Sequence, residues 1–106
     1  MALNDQEIQE RDRNRAIRGY IIRSLIRSSN YMALTRHLAN ALYIQEYITK
    51  PDIKDHIEYL VNGGYVEFTD KKVKSYSVYA EDAVIKLTNK GINLAEGMTE
   101  DLGVEM

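Results

Sequence analysis

Apolar residues recur at three- and four-residue spacing through Ile17, Tyr20, Ile21 and Leu25, with Ser24 and Ser28 on the same stripe. No proline interrupts this stretch, so the spacing predicts a long first helix over residues 5–28. Ile22 and Ile26 fall on another side of the wheel, leaving mainly Arg23 and Arg27 to mark a polar side. Such a helix is too apolar to cover a single neighbour. Two readings follow: a central core helix, or a helix that also forms a dimer seam through Ile17, Gly19, Ile22 and Ile26. Gly19 in a helix interior costs about 1 kcal/mol relative to alanine, which suggests a site where another backbone approaches closely. Ser28-Ser29-Asn30 ends the pattern, because short polar side chains compete for local backbone hydrogen bonds.

Leu34, Leu38, Ala41 and Leu42 then predict a second helix over residues 33–44. A third is expected over 50–63, with Thr49 as N-cap, Pro51 in the first turn and Asp52 beside the positive helix end. Its apolar positions are Ile53, Ile57, Leu60 and Val61, and Asn62-Gly63-Gly64 supplies a left-handed exit. The period changes at Tyr65-Val66-Glu67-Phe68-Thr69, which alternates and reads as a strand. Val73–Tyr79 is strand or loop material, and Ala83–Leu87 reads as a returning strand, making a small antiparallel wing over 65–87. Thr88 is placed to cap a last helix over 88–97, with Ile92, Leu94 and Ala95 inward and Gly97 as its stop. Residues 98–106 are expected to form a loose tail.

At 106 residues with one proline and six glycines, the chain is expected to form one α+β domain. The absence of cysteine excludes disulfides, thiolate nucleophiles and Cys-ligated metal sites, and fits a reducing compartment. The charged N-terminus lacks the features of a secretory signal, and no apolar run approaches the roughly 20 residues of a membrane span. A cytoplasmic protein is therefore expected. His37 and His56 are the only histidines. Asp52 and His56 at i, i+4 are too few for a metal without a third ligand, and no phosphate loop, HExxH or Ser/His/Asp signature is present. The expectation is a protein with no catalytic residues, no metal and no cofactor.

The net charge of −2 argues against coating nucleic acid by bulk attraction, but its distribution is uneven. Residues 11–37 hold seven arginines and one acid, and residues 71–79 hold three lysines and no acid. Two basic segments thus stand in an acidic chain.

The order of long helix, short helix, capped helix ending in Gly-Gly, strand, basic turn, strand and terminal helix resembles a winged helix-turn-helix domain. Ile53-x-x-x-Ile57-x-x-Leu60-Val61-x-x-Gly64-Tyr65-Val66 is similar to the end of the recognition helix and first wing strand of ArsR, MarR and PadR-like repressors. Leu87-Thr88-Asn89-Lys90-Gly91 resembles the Leu-Thr-x-x-Gly step by which many such domains enter their last helix. Over about Arg15–Gly103 the chain also resembles the small winged-helix proteins of Mu-like bacteriophages. The match runs through Asn30-Tyr31, Ile48-Thr49-Lys50-Pro51-Asp52-Ile53, Tyr59-Leu60, Leu87–Gly97 and Gly103-Val104. Pro51, the longer wing and Leu102 depart from the phage pattern.

This resemblance implies a phage or prophage regulator acting in a bacterial cell, binding duplex DNA with the third helix in the major groove and the wing on phosphates. The residues expected to serve are Arg36, Lys50, Lys54, Tyr59, Asn62, Lys71, Lys72 and Lys74. A homodimer is expected through the first helix. Against base reading, the same wheel turns Asp52, Asp55 and Glu58 outward along with Tyr59 and Asn62, and acids beside phosphates oppose binding. That face keeps open a second reading, a phage-encoded adaptor that meets a phage or host protein partner on a winged-helix scaffold without binding DNA.

Overall fold

The structure, a computed structural model, describes residues 2–70 and 82–106. The strand or loop expected at Val73–Tyr79, and the wing lysines Lys71, Lys72 and Lys74, lie outside these residues. Among the described residues four helices, α1 (Asp5–Ile26), α2 (Thr35–Ile44), α3 (Lys54–Asn62) and α4 (Asn89–Ala95), surround one small sheet. Its strands are β1 (Met32–Leu34), β2 (Val66–Phe68) and β3 (Val84–Leu87), antiparallel in the order β1-β3-β2. The α+β class expected from the sequence is therefore present. Met32 sits opposite Lys86 and Val66 opposite Leu87, so β3 is the shared central strand.

The C-terminal half of α1 is the axis of the core. Ile17, Ile21, Ile22 and Leu25 meet Leu38 and Leu42 of α2, Ile57 and Leu60 of α3, Ile85 and Leu87 of β3, and Leu94 of α4. Burying each such side chain is worth about 1.5–3 kcal/mol, so this half of α1 organises the fold. Ile17 and Ile22 are at most 1% exposed, and Gly19 is buried too. Ile26 is partly buried against the same cluster. Ile17 and Ile22 are taken up by the chain's own core and Gly19 by the C-terminal segment, which corrects the reading of these three as a dimer seam, while Ile26 keeps part of its surface.

What approaches Gly19 is the C-terminal segment. A Cβ at Gly19 would run into the Glu105 carbonyl, and Glu105 donates its N–H to the Arg15 carbonyl at 3.0 Å. Arg18 and Arg23 donate to the carbonyls of Gly103 and Glu105 at 3.1 and 3.0 Å, and Val104 is buried. Residues 101–105 thus form a strap along α1 rather than the loose tail expected. Only a glycine in α1 lets a backbone lie this close to the helix.

Helix α1 ends at Ile26, two residues before the expected stop, where Ser28 Oγ donates back to the Ser24 carbonyl at 2.7 Å. A single 3₁₀ turn follows, with Asn30 left-handed at φ 57°, and delivers the chain into β1. That strand was not foreseen; three residues carry no readable alternation, and β1 exists because β3 offers it an edge. Buried Thr35 then ties the start of α2 to the sheet, its N–H and hydroxyl both reaching the Ala83 carbonyl.

Helix α3 starts at Lys54, four residues later than the sequence suggested. Pro51 disfavours helical geometry at Lys50, and the Asp52 carboxylate accepts the Lys54 N–H at 3.0 Å, so residues 49–53 stay outside the helix. The exit is as expected: Gly64 is left-handed at φ 80°, with Gly64 N–H donating to Val61 and Tyr65 N–H to Leu60. Helix α4 has the foreseen Thr88 cap, whose Oγ1 accepts the Gly91 N–H at 3.1 Å.

Candidate nucleic-acid interface

Helix α3 has a buried back, a half-buried flank and an open front. Ile57 and Leu60 face the core, while Lys54, Asp55, Glu58 and Asn62 are exposed. The front therefore carries one cation and two acids, with exposed Asp52 just ahead of the helix. Lys54 and Asn62 are both on this exposed front.

Tyr59 is a correction. It was expected on the outward face with Asp55 and Asn62, but its ring lies beneath the Arg18 guanidinium, 3.8 Å from the centroid, on the flank facing α1. Its hydroxyl donates to Asp101 Oδ1 at 2.8 Å, and Tyr65 donates to Asp101 Oδ2 at 2.5 Å. The Gly103 N–H adds a third bond to Asp101, at 2.7 Å. Burial alone would raise the Asp101 carboxyl, but these donors and the Arg18 charge overrule it and hold it below the ordinary carboxylate range. The same bonds raise both phenols, Tyr65 to about 12, because losing the proton would set an anion against Asp101. Tyr59 thus fixes the flank of α3, and nothing in the local sequence marks Asp101 as its partner.

Arg36 is exposed in the first turn of α2 and ion-paired with Asp82, which adjoins the first residues of the returning strand. The pair links the start of α2 to the residues just ahead of β3. Lys50 lies in the α2–α3 connection and lines a cleft of about 260 Å³ together with Arg13, Asn14, Asp52, Asp55 and His56. Of the expected residues, Lys50 and Lys54 lie close in sequence at the start of α3, and Arg36 stands apart at the start of α2.

His56 is half-buried, and its Nδ1 has no hydrogen-bond partner among the described residues. Burial and then the Arg18 charge lower its pKa, against the opposing pull of Asp55 and Asp52. Among the described residues no group of three His, Asp or Glu side chains converges on a metal geometry. No helix among them is long and apolar enough to cross a membrane.

The α2–α3 connection holds an unexpected feature. Glu46 is left-handed at φ 65°, with Glu46 N–H donating to Tyr43 and Tyr47 N–H to Leu42, the closure that glycine makes at the end of α3. Beside it Tyr43, Ile44 and Tyr47 are exposed, Ile44 by 77%. Tyr20 reaches this turn through a bond from Gln45 at 3.0 Å and a tilted ring contact with Tyr47.

Comparison with protein-family models, curated proteins and solved structures finds no match to this chain.

Proposed function

We propose that the chain is a non-enzymatic winged-helix protein that binds duplex DNA as a transcriptional regulator, acting from a phage or prophage inside a bacterial cell. The observation that carries the DNA-binding part is topological. The order α1-β1-α2-α3-β2-β3-α4 comes with a β1-β3-β2 sheet, and α3 follows α2 and leads directly into β2. In such an arrangement α3 is the element free to enter a groove while the segment between β2 and β3 reaches the backbone. Lys71, Lys72 and Lys74 fall in that intervening segment of the sequence. The phage setting rests on the motif resemblance alone.

With two acids on the front of α3, affinity on this reading comes from phosphate contacts by the wing lysines and the start of α2 more than from base contacts. Fluorescence polarisation with random genomic duplex fragments across a salt series tests it. The expected result is a linear fall of log affinity with log salt. Its slope becomes shallower by roughly 0.9 for each phosphate no longer neutralised when Lys71, Lys72 and Lys74 become alanine. A folded protein that binds no DNA at low salt overturns it. The acidic front of α3 and the exposed Tyr43, Ile44 and Tyr47 favour the second reading, an adaptor that docks a basic protein partner.

A further inference from the structure

We propose that the cleft between α1 and the start of α3 binds a small zwitterion, a free α-amino acid, taking its carboxylate on cations and its ammonium on acids of the cleft wall. The site does not depend on the DNA-binding reading.

Three separate stretches of chain build the cleft, which has a volume of about 260 Å³. Arg13 and Ile17 come from α1, Ile48 and Lys50 from the α2–α3 connection, Asp52 from just ahead of α3, and Asp55 from its first turn. Two cations and two acids thus line one small space, yet among the described residues none of the four is ion-paired. Asp52 accepts the Lys54 N–H with one carboxylate oxygen, and the side chains of Arg13, Lys50 and Asp55 make no hydrogen bond among the described residues. Both signs of charge are therefore left free within reach of one occupant.

The mixture of signs selects the ligand. A simple anion would gain from Arg13 and Lys50 but be repelled by Asp52 and Asp55, and a simple cation would meet the reverse. A molecule carrying both charges gains from each pair. Its carboxylate suits the two parallel N–H groups of the Arg13 guanidinium, and the three N–H bonds of its ammonium suit Asp55 and the second oxygen of Asp52. Ile17 and Ile48 supply apolar wall for the remainder of the molecule. The volume lies below the ~300 Å³ at which pockets for drug-sized ligands begin, which fits a metabolite of amino-acid size. Once seated, such a ligand ties α1 to the start of α3, so it stabilises the folded chain in proportion to its occupancy.

Titration calorimetry and thermal melts of the full chain against each of the twenty amino acids test the proposal. The expected result is saturable binding of at least one of them with a rise in Tm, and a shift of the Asn14 and Lys50 amide signals in nuclear magnetic resonance spectra. The N-acetyl and the carboxamide derivatives of that amino acid, each lacking one charge, bind about tenfold or more weaker, as loss of a charge-assisted hydrogen bond requires. Arg13→Gln and Asp55→Asn each weaken binding by a similar factor. Both side chains are exposed, so circular dichroism stays unchanged, and neither is an expected DNA contact, so the DNA-binding reading stands or falls separately. No binding by any amino acid up to about 10 mM overturns the proposal. So does a derivative that binds as well as its parent, which would mark a plain anion or cation site, or a ligand whose affinity either variant leaves unmoved.

Discussion

Helix α3 is held between two unlike regions. Behind it the C-terminal strap satisfies its polar groups one by one, with Asp101 taking three donors from Tyr59, Tyr65 and Gly103, and Arg18 stacking on Tyr59 while donating to the strap. Ahead of it, the α2–α3 connection turns on a left-handed glutamate, exposes Tyr43, Ile44 and Tyr47, and reaches α1 through contacts of Tyr20. The contrast is one of division of labour. Interactions at the back fix where α3 sits without using its front, so Lys54, Asp55, Glu58 and Asn62 stay exposed.

The largest expected effect breaks the back of the arrangement at its closest approach. Gly19→Val places side-chain carbon where the Glu105 carbonyl lies, so the strap must lift and release Val104. Overpacking of this kind costs about 3 kcal/mol. Chemical denaturation should report a lower midpoint, and hydrogen exchange should report reduced protection at the Glu105 amide.

Asp101→Ala comes next, at about 2 kcal/mol, because two hydroxyls and an amide lose a charged acceptor at once. Its linkage to pH has a definite sign. A carboxyl held below its unfolded value of 3.8 stabilises the fold fully above that value, and the contribution is lost as pH falls through the lower folded value. The wild type should therefore lose its advantage over the variant in acid, in paired melts at neutral and low pH.

Tyr65→Phe removes one of these bonds, for about 1.5 kcal/mol. Here the sign reverses. A phenol raised from 10.0 to about 12 stabilises the fold below the unfolded value, and that contribution disappears as pH climbs from 10 to 12. Melts over this alkaline range should show the wild type converging on the variant.

The smallest effect sharpens the comparison from the other side. Glu46→Gly relieves a left-handed non-glycine residue and should stabilise the protein by about 1 kcal/mol, read as a small rise in Tm. An unchanged Tm would mean that Glu46 gains from its surroundings what its backbone loses.

Much of the fold was legible because its signals are local. Ile53, Ile57 and Leu60 mark the core side of α3, and the glycine exit appears where the Asn-Gly-Gly sequence placed it. Two motifs separated in sequence prove to be one joint. The Thr88 hydroxyl donates to the Gly64 carbonyl at 2.5 Å, its N–H donates to Tyr65, and Gly91 lies where a Cβ would meet the Tyr65 carbonyl. Of the candidate site, the exposed Lys54 and Asn62 and the acidic front of α3 were readable from the helical wheel. Tyr59 was not, because a wheel gives an angle and says nothing of a neighbour that arrives from residue 101.

By itself, then, the sequence determined the helices with strong periodicity, the caps at Thr88 and Gly64, the α+β class and the uneven placement of charge. These depend on residues within a turn or two of one another, where spacing and backbone preference act directly. Only the tertiary structure decided that β1 is a strand, that α3 waits until Lys54, that Ile17 and Ile22 belong to the core, and that residues 101–105 strap α1. Each of those outcomes is set by a surface or a hydrogen-bonding group brought close by the folded chain, and such encounters leave no period in the sequence.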